Sequence, residues 1–209
     1  MKLTSTSFGD GQPIPAEYAF CKPDAKIHCT LGDNRNPQLA WHDVPAGTQS
    51  LALICHDCDV PSKPDDVNQE GREIPSSLPR VDFFHWVLVD LDPQSGPIAA
   101  GEFSSGVTVR GKGGPAGPRG TRQGINDYST WFAGDHDMSG EYFGYDGPCP
   151  PWNDSIKHHY VFTLYALDVA QCPVTGNFSG ADVRKAIAGH VLATAKLTGV
   201  YTLNPKVTL

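Results

Sequence analysis

The chain has 209 residues, enough for one domain with a sizeable core, and its formal net charge is −7. This acidic balance argues against a nucleic-acid surface, which needs clustered Lys and Arg to neutralise phosphates. No run of about 18 apolar residues occurs, and no apolar stretch follows Lys2, so we expect neither a membrane span nor a secretory signal but a cytoplasmic protein.

Turn-forming residues are abundant, with 22 glycines and 18 prolines. Short strand-like segments lie between them, which favours a mainly β fold with long loops over a helical bundle. Six cysteines are present, at positions 21, 29, 55, 58, 149 and 172. Because no export signal is visible, we expect free thiols, and we expect Cys55 and Cys58 to be structural thiols rather than a zinc site.

Three segments are predicted to be strong strands: 50–58, 84–91 and 158–168. A period of two puts Asp57 on the face of Leu51 and Leu53. The same period puts His85 with Val87, Val89 and Leu91, and His158 with Tyr160, Phe162, Leu164 and Ala166. Each strand is therefore expected to have a polar group at one end of an apolar row.

Residues 61–79 lack any periodic pattern and are predicted to form a loop. Residues 101–146 form a longer irregular region whose glycines and cations resemble a phosphate cradle, but the order G-x-x-x-x-G-K-[ST] is absent. We interpret that part as a flexible, solvated loop. The aromatic residues of its second half are expected to pack against the protein body.

One helix is predicted over 179–197, where Ser179 or Asp182 can cap it and Val183, Ile187 and Val191 recur at four-residue steps. The tail 196–209 is strand-like.

Three motifs, in order along the chain, resemble the phosphatidylethanolamine-binding protein (PEBP) family, also called the Raf kinase inhibitor-like family, and within it the prokaryotic branch. H-D-C-D-V-P-S at 56–62 is similar to D-P-D-x-P-S, and F-H-W-V-L-V at 84–89 to the following H-W-V-V-V strand. G-P-C-P-P at 147–151 with H-H-Y at 158–160 resembles G-x-P-P…H-R-Y. The opening and the closing segments also look like those of the family.

The resemblance implies a single domain over 1–209, with two antiparallel sheets, a C-terminal helix and a long insertion at about 101–146. It also implies a small pocket for a phosphate-like or phosphorylated headgroup. Carried over residue by residue, its ligand-binding residues are Asp57, Asp59, His85, Pro151 and His158, with Phe84 (or its neighbour Phe83) and Tyr145 as walls. We expect His85 and His158 to donate to phosphoryl oxygens and Asp57 to orient them.

Two residues depart from the family pattern. Cys58 stands where the motif has proline, and His159 stands where it has arginine. His159 is predicted to point away from His158 and to take Asp59 as its partner.

The leading hypothesis is a non-enzymatic binding protein with no cofactor and no metal, which binds a small anionic or phosphorylated ligand and has a regulatory role through a protein partner. One alternative is an inhibitor or modulator of a kinase or protease that uses loops 61–79 and 111–145. Another is a hydrolase that uses zinc on Cys55, Cys58, His56 and His85, or a thiol nucleophile. No G-x-S-x-G or H-E-x-x-H motif favours the enzymes.

Overall fold

The computed structural model describes residues 1–209, and the fold is mainly β, as predicted. The ten strands are β1 (Lys2–Thr4), β2 (Gln12–Pro13), β3 (Cys21–Asp24), β4 (His28–Leu31), β5 (Ala40–His42), β6 (Ser50–Pro61), β7 (Arg80–Leu91), β8 (Arg122–Gln123), β9 (His158–Leu167) and β10 (Val191–Tyr201). The α-helices are α1 (Tyr128–Trp131) and α2 (Gly180–Ala186), and single 3-10 turns lie at Ala16–Tyr18 and Pro118–Gly120.

One six-stranded sheet, in the order β2-β10-β9-β6-β7-β8, dominates the fold, and β1–β5 and β3–β4 form two small sheets. All strand pairs are antiparallel except β2 with β10, which is parallel. The predicted strong strands correspond to the central β6, β7 and β9. The residues between β6 and β7, predicted to be a loop, contain neither a helix nor a strand.

The large sheet separates two hydrophobic clusters. Leu51, Leu53 and Cys55 of β6 lie in the larger cluster together with Tyr160, Phe162, Leu164 and Ala166 of β9. The smaller cluster packs the other face of the sheet against α2 and holds Ala52, Ile54 and Val183. The period of two therefore gave the correct faces of β6 and β9, whose pairing runs in unbroken register from Ser50 to Asp57.

The predicted row on β7 was wrong. Cys55 pairs with Trp86 whereas His56 pairs with Phe84, so His85 is the extra residue of a β-bulge. The bulge puts His85 on the face of Trp86 and Leu88, in contact with the larger cluster, whereas Val87 and Val89 face the smaller cluster. Beyond a bulge, the side chains of a strand change faces of the sheet. The sequence of β7 does not reveal where its bulge lies.

The predicted helix over 179–197 was too long. A capping box formed by Ser179 and Asp182 starts α2, but the helix ends at Ala186 and Gly189 adopts a φ of 88°. Residues 191–201 instead form β10, which pairs with β9 along almost its whole length. Cross-strand pairing here overrides a helical apolar pattern whose last member, Val191, is solvent-exposed.

The expectation of free thiols was also wrong for two of the six cysteines. Cys21 at the start of β3 and Cys149 in the 147–151 loop form a disulfide across 128 positions of sequence. Phe20 and Cys21 also donate backbone hydrogen bonds to the carbonyl oxygen of Pro148, at 2.9 and 3.0 Å. The other four cysteines are free thiols.

Candidate functional site

A cavity of about 850 Å³ lies where β6, β7 and β9 end beneath the 127–138 segment and the 147–151 loop. Its polar floor consists of Asp57 from β6, His85 from β7, and His158 and Tyr160 from β9. Each side chain is at most 3% exposed. These strands are neighbours in the sheet, so residues far apart in sequence converge at one point.

The predicted site residues fall into two groups. Asp57, His85, Pro151 and His158 line the cavity, and so does Phe83, whereas Phe84, Tyr145 and Asp59 do not. Phe84 lies on the opposite face of β7, and Tyr145 is fully buried with its hydroxyl donating to the carbonyl oxygen of Tyr18 at 2.6 Å. They are therefore not walls of this cavity.

Asp59 lies in another irregularity of the β6–β7 pairing, between the pairs formed by Asp57 and Val60. Its carboxylate accepts hydrogen bonds from the backbone N–H and from Nδ1 of His159, both at 2.8 Å. The predicted partnership of His159 with Asp59 is confirmed. The side chains of His159 and Asp59 are 44% and 20% exposed, and neither lines the cavity.

His158 is the centre of a buried chain of alternating charges. Its Nδ1 donates to Oδ2 of Asp57 at 2.7 Å, and its Nε2 donates to Oδ2 of Asp154 at 3.0 Å. The guanidinium of Arg80 in turn binds both oxygens of Asp154, at 2.5 and 3.0 Å. Burial opposes the charge on His158, but the carboxylates of Asp57 and Asp154 outweigh it and raise the pKa of His158 to about 9.

Because both ring nitrogens of His158 are engaged, the predicted role of His158 as a donor to a phosphoryl group is wrong. His158 holds Asp57 in place instead. Asp154 and Arg80 were missed by the sequence analysis. The one available signal was the spacing of Asp154 four residues before His158, and nothing in the sequence pointed to Arg80.

His85 has a different environment. Its Nδ1 lies 2.7 Å from the carbonyl oxygen of Asp146, and since a carbonyl only accepts, Nδ1 carries the proton. Burial lowers the pKa of His85 below its ordinary value, despite the nearby carboxylate of Asp57. The ring is therefore neutral at pH 7, and Nε2, which has no partner in the chain, offers a lone pair.

A second unpartnered polar atom lies close to His85. The hydroxyl of Tyr160 is buried and makes no hydrogen bond of normal geometry. Burial and the nearby carboxylate of Asp57 raise the pKa of Tyr160, and its ring packs edge-on against that of His85 with 5.1 Å between centroids. An unmade hydrogen bond at a buried hydroxyl costs about 1–3 kcal/mol. The floor thus has two free polar atoms, the imidazole Nε2 and the phenol oxygen.

The walls are largely apolar, and the 127–138 segment supplies Tyr128, Trp131, Phe132 and Met138. The prediction that the aromatic residues of this region pack against the body holds for Tyr128, Tyr142, Phe143 and Tyr145, which are buried, whereas Trp131 is 49% exposed. Their contribution to a cavity was not foreseen. No lysine or arginine lines the cavity, and its acidic and imidazole side chains are Asp57, Asp127, the neutral His85 and the positively charged His158.

The residues of the hydrolase alternative do not converge. His56 points to the opposite face of the sheet, where Nε2 lies 3.9 Å from Asp82, whereas Cys55 is buried in the larger cluster. No group of three or more His, Cys, Asp or Glu side chains is placed to hold a metal ion. Burial and the carboxylate of Asp59 raise the pKa of Cys58 to about 11, which disfavours a thiolate nucleophile.

Comparison with known proteins defines the class. A family model described as phosphatidylethanolamine-binding protein matches residues 4–202, and the chain belongs to this family. A UPF0098 protein of Methanothermobacter thermautotrophicus is 34% identical, with 96% of this chain and 98% of the relative covered. The UPF0098 protein YbhB of Escherichia coli is 31% identical, with 97% and 100% covered.

Solved structures agree. The E. coli protein YbcL, described as a member of the mammalian PEBP family, superimposes with a TM-score of 0.65 at 27% identity, covering 96% of this chain and 97% of that chain. A putative PEBP homologue of Chlamydia trachomatis gives a TM-score of 0.61 at 28% identity, covering 96% and 95%. No helix of this structure has the length and apolar character to cross a membrane.

Proposed function

We propose that this chain is a non-enzymatic binding protein whose cavity holds a phosphorylated headgroup carried on an apolar body. The observation that carries the proposal is the pair of unpartnered polar atoms, Nε2 of His85 and the hydroxyl of Tyr160, at the floor of a cavity whose walls are largely apolar. A site of this kind orients one polar group and buries an apolar remainder.

The electrostatics of the floor link binding to protonation. Since no lysine or arginine lines the cavity and His158 is already matched by Asp57 and Asp154, an anion finds no free cation there. His85 is the group that can supply one, by taking up a proton at Nε2 as the anion binds. Tyr160 then donates a second hydrogen bond.

Sulfate tests this link, because it has no titration of its own near neutral pH. We expect its affinity to rise as the pH falls from 8 to 6, by up to about tenfold per pH unit for one proton taken up. Titration calorimetry of wild type against His85→Ala, with the exposed His136→Ala as matched control, measures it. The control should behave as wild type. Equal heats from wild type and His85→Ala, or a pH-independent affinity, would sink the proposal.

The apolar walls predict a second property. An alkyl phosphate should bind more tightly than inorganic phosphate, by about fourfold for each CH₂ that is buried, because each contributes about 0.8 kcal/mol. Phe132→Ala removes part of the wall and should weaken binding of hexyl phosphate while leaving inorganic phosphate unchanged. If hexyl and inorganic phosphate bind equally, the cavity does not hold an apolar body.

The disulfide bears on the cellular location of the protein. Disulfides persist in oxidising compartments and are rare in the cytosol of mesophiles, so the Cys21–Cys149 bond runs against the expected cytoplasmic location.

A further inference from the structure

The glycine-rich segment at 111–120, interpreted from sequence as a flexible, solvated loop, places one cation in the interior. The ammonium of Lys112 lies 3.1 Å from Oδ1 of Asp146, and the two side chains are only 18% and 1% exposed. Lys112 also donates to the carbonyl oxygen of Tyr145. Gly111, at a φ of 93°, brings the loop so close to Glu141 that a Cβ would lie 2.6 Å from the carbonyl oxygen of that residue.

The carboxylate of Asp146 is held by three partners. Besides Lys112, Nδ2 of Asn34 donates to Oδ1 and Nδ2 of Asn126 donates to Oδ2, both at 2.7 Å. These contacts leave the side chain no freedom to turn. Two of these partners also hold the backbone on either side of Asp146, because Lys112 donates to the carbonyl oxygen of Tyr145 and Oδ1 of Asn34 accepts from the N–H of Gly147.

The backbone of Asp146 binds His85 twice. Its N–H donates to the carbonyl oxygen of His85 at 2.9 Å, and its own carbonyl oxygen accepts from Nδ1 of the His85 ring at 2.7 Å. The second contact selects the tautomer with the proton on Nδ1 and a free Nε2. A chain of direct contacts therefore runs from Lys112 through Asp146 to the cavity floor.

We propose that the Lys112–Asp146 ion pair is a positioning device that holds His85 with Nδ1 protonated and Nε2 free, and thereby sets the pH range over which the cavity takes an anion. The first half of this inference stands on geometry alone. The second half rests on the proposed function, since it needs an anion at Nε2.

Other groups also face His85. They are Asp57 from β6, His158 and Tyr160 from β9, and Tyr128 from α1. None of these side chains makes a hydrogen bond or an ion pair with Lys112 or with the carboxylate of Asp146. The contribution of the ion pair can thus be separated from theirs by substitution.

Two substitutions should act in opposite directions. Lys112→Met leaves the Asp146 carboxylate without its cation, which favours protonation of His85, so sulfate affinity at pH 7.5 should rise by about fivefold. Asp146→Asn removes the negative charge beside His85, so affinity should fall by a similar factor. Lys112→Arg keeps the charge and should stay close to wild type, as should the exposed Lys206→Met. If both charge-removing variants move affinity in the same direction, the pair has a structural role only and the proposal fails.

NMR of ¹⁵N-histidine-labelled protein without any anion separates this inference from the proposed function. We expect the Nδ1-protonated tautomer for His85 in wild type, a higher pKa of His85 in Lys112→Met and a lower one in Asp146→Asn. If these shifts appear but sulfate does not bind, the positioning role holds and the proposed function fails. If sulfate binds and the His85 resonances are the same in all variants, the positioning role is overturned.

Discussion

Replacing both Cys21 and Cys149 by serine is expected to lower the free energy of unfolding by about 5 kcal/mol, measured by chemical denaturation. The disulfide closes a loop of 128 positions, and the loop-entropy relation assigns roughly this loss of conformational freedom in the unfolded chain. This is a large part of the stability of a typical domain, which is about 5–15 kcal/mol. The variant should therefore unfold at markedly lower denaturant concentration.

The control for this prediction is Cys58→Ser, which removes a free, partly exposed thiol and should change stability little. A dithiol reductant should destabilise wild type and Cys58→Ser but not the double variant. Counting thiols in the denatured, unreduced wild type should give four free groups. Six free thiols, together with a midpoint insensitive to reductant, would refute the prediction.

Replacing His158 by alanine should cost about 3–5 kcal/mol of folding free energy, because it leaves the buried carboxylates of Asp57 and Asp154 without their shared cation. Removing the proton from His158 by raising the pH should also lower the folding stability of the wild type. The pKa of His158 rises to about 9 in the folded protein, above its unfolded value near 6.5, so its contribution is complete below about pH 6.5. It is lost as the pH rises through 9, and amounts to about 3 kcal/mol.

Denaturation measured from pH 6 to 10 tests this dependence. Wild type should lose stability across the window, whereas His158→Ala should lack this component. His159→Ala is the matched control, since its ring pairs with Asp59 at the surface and should contribute no more than about 1 kcal/mol. A wild-type unfolding free energy that is the same at pH 7 and pH 9.5 would contradict the proposed charge state of His158.

The carboxyl groups of the same charge chain should make the protein less stable in acid. Burial opposes ionisation of Asp57 and Asp154, but their hydrogen bonds and charge interactions with His158 outweigh it and lower the pKa of both carboxyl groups. Their contribution to stability is present above their unfolded values and is lost as the pH falls through the folded ones. Stability should therefore decline on both the acid and the alkaline side of neutrality.

Much of the site could be predicted because Asp57, His158 and Tyr160 of its floor lie on regularly paired stretches of strand. Asp57 and His158 follow the two-residue period of β6 and β9, and the three ordered motifs placed both residues in one pocket with His85. Two predictions about β7 were wrong: that Phe84 is a wall of the pocket, and that His85 shares a face with Val87 and Val89. The bulge at His85 is a property of the pairing between β6 and β7 rather than of either strand alone.

The roles of the residues were harder to predict than their positions. The donor role assigned to His158 failed because Asp154 occupies its second nitrogen, and Asp154 is placed there by the 151–157 loop. The tautomer of His85 depends on the carbonyl oxygen of Asp146, a backbone group that side-chain patterns do not show. Lys112 is one of several cations in a glycine-rich stretch, and only its contact with Asp146 distinguishes it.

The family, the mainly β class and the three strands that bear Asp57, His85 and His158 could all be predicted from the amino-acid sequence, because motifs and apolar alternation can be recognised in the chain without its fold. The Cys21–Cys149 disulfide, the end of α2 at Ala186 and the apolar walls supplied by 127–138 became visible only in the folded protein. The same holds for which nitrogen of each histidine is free. These features depend on which distant segments meet, since hydrogen bonding and burial are settled between segments that the sequence keeps far apart.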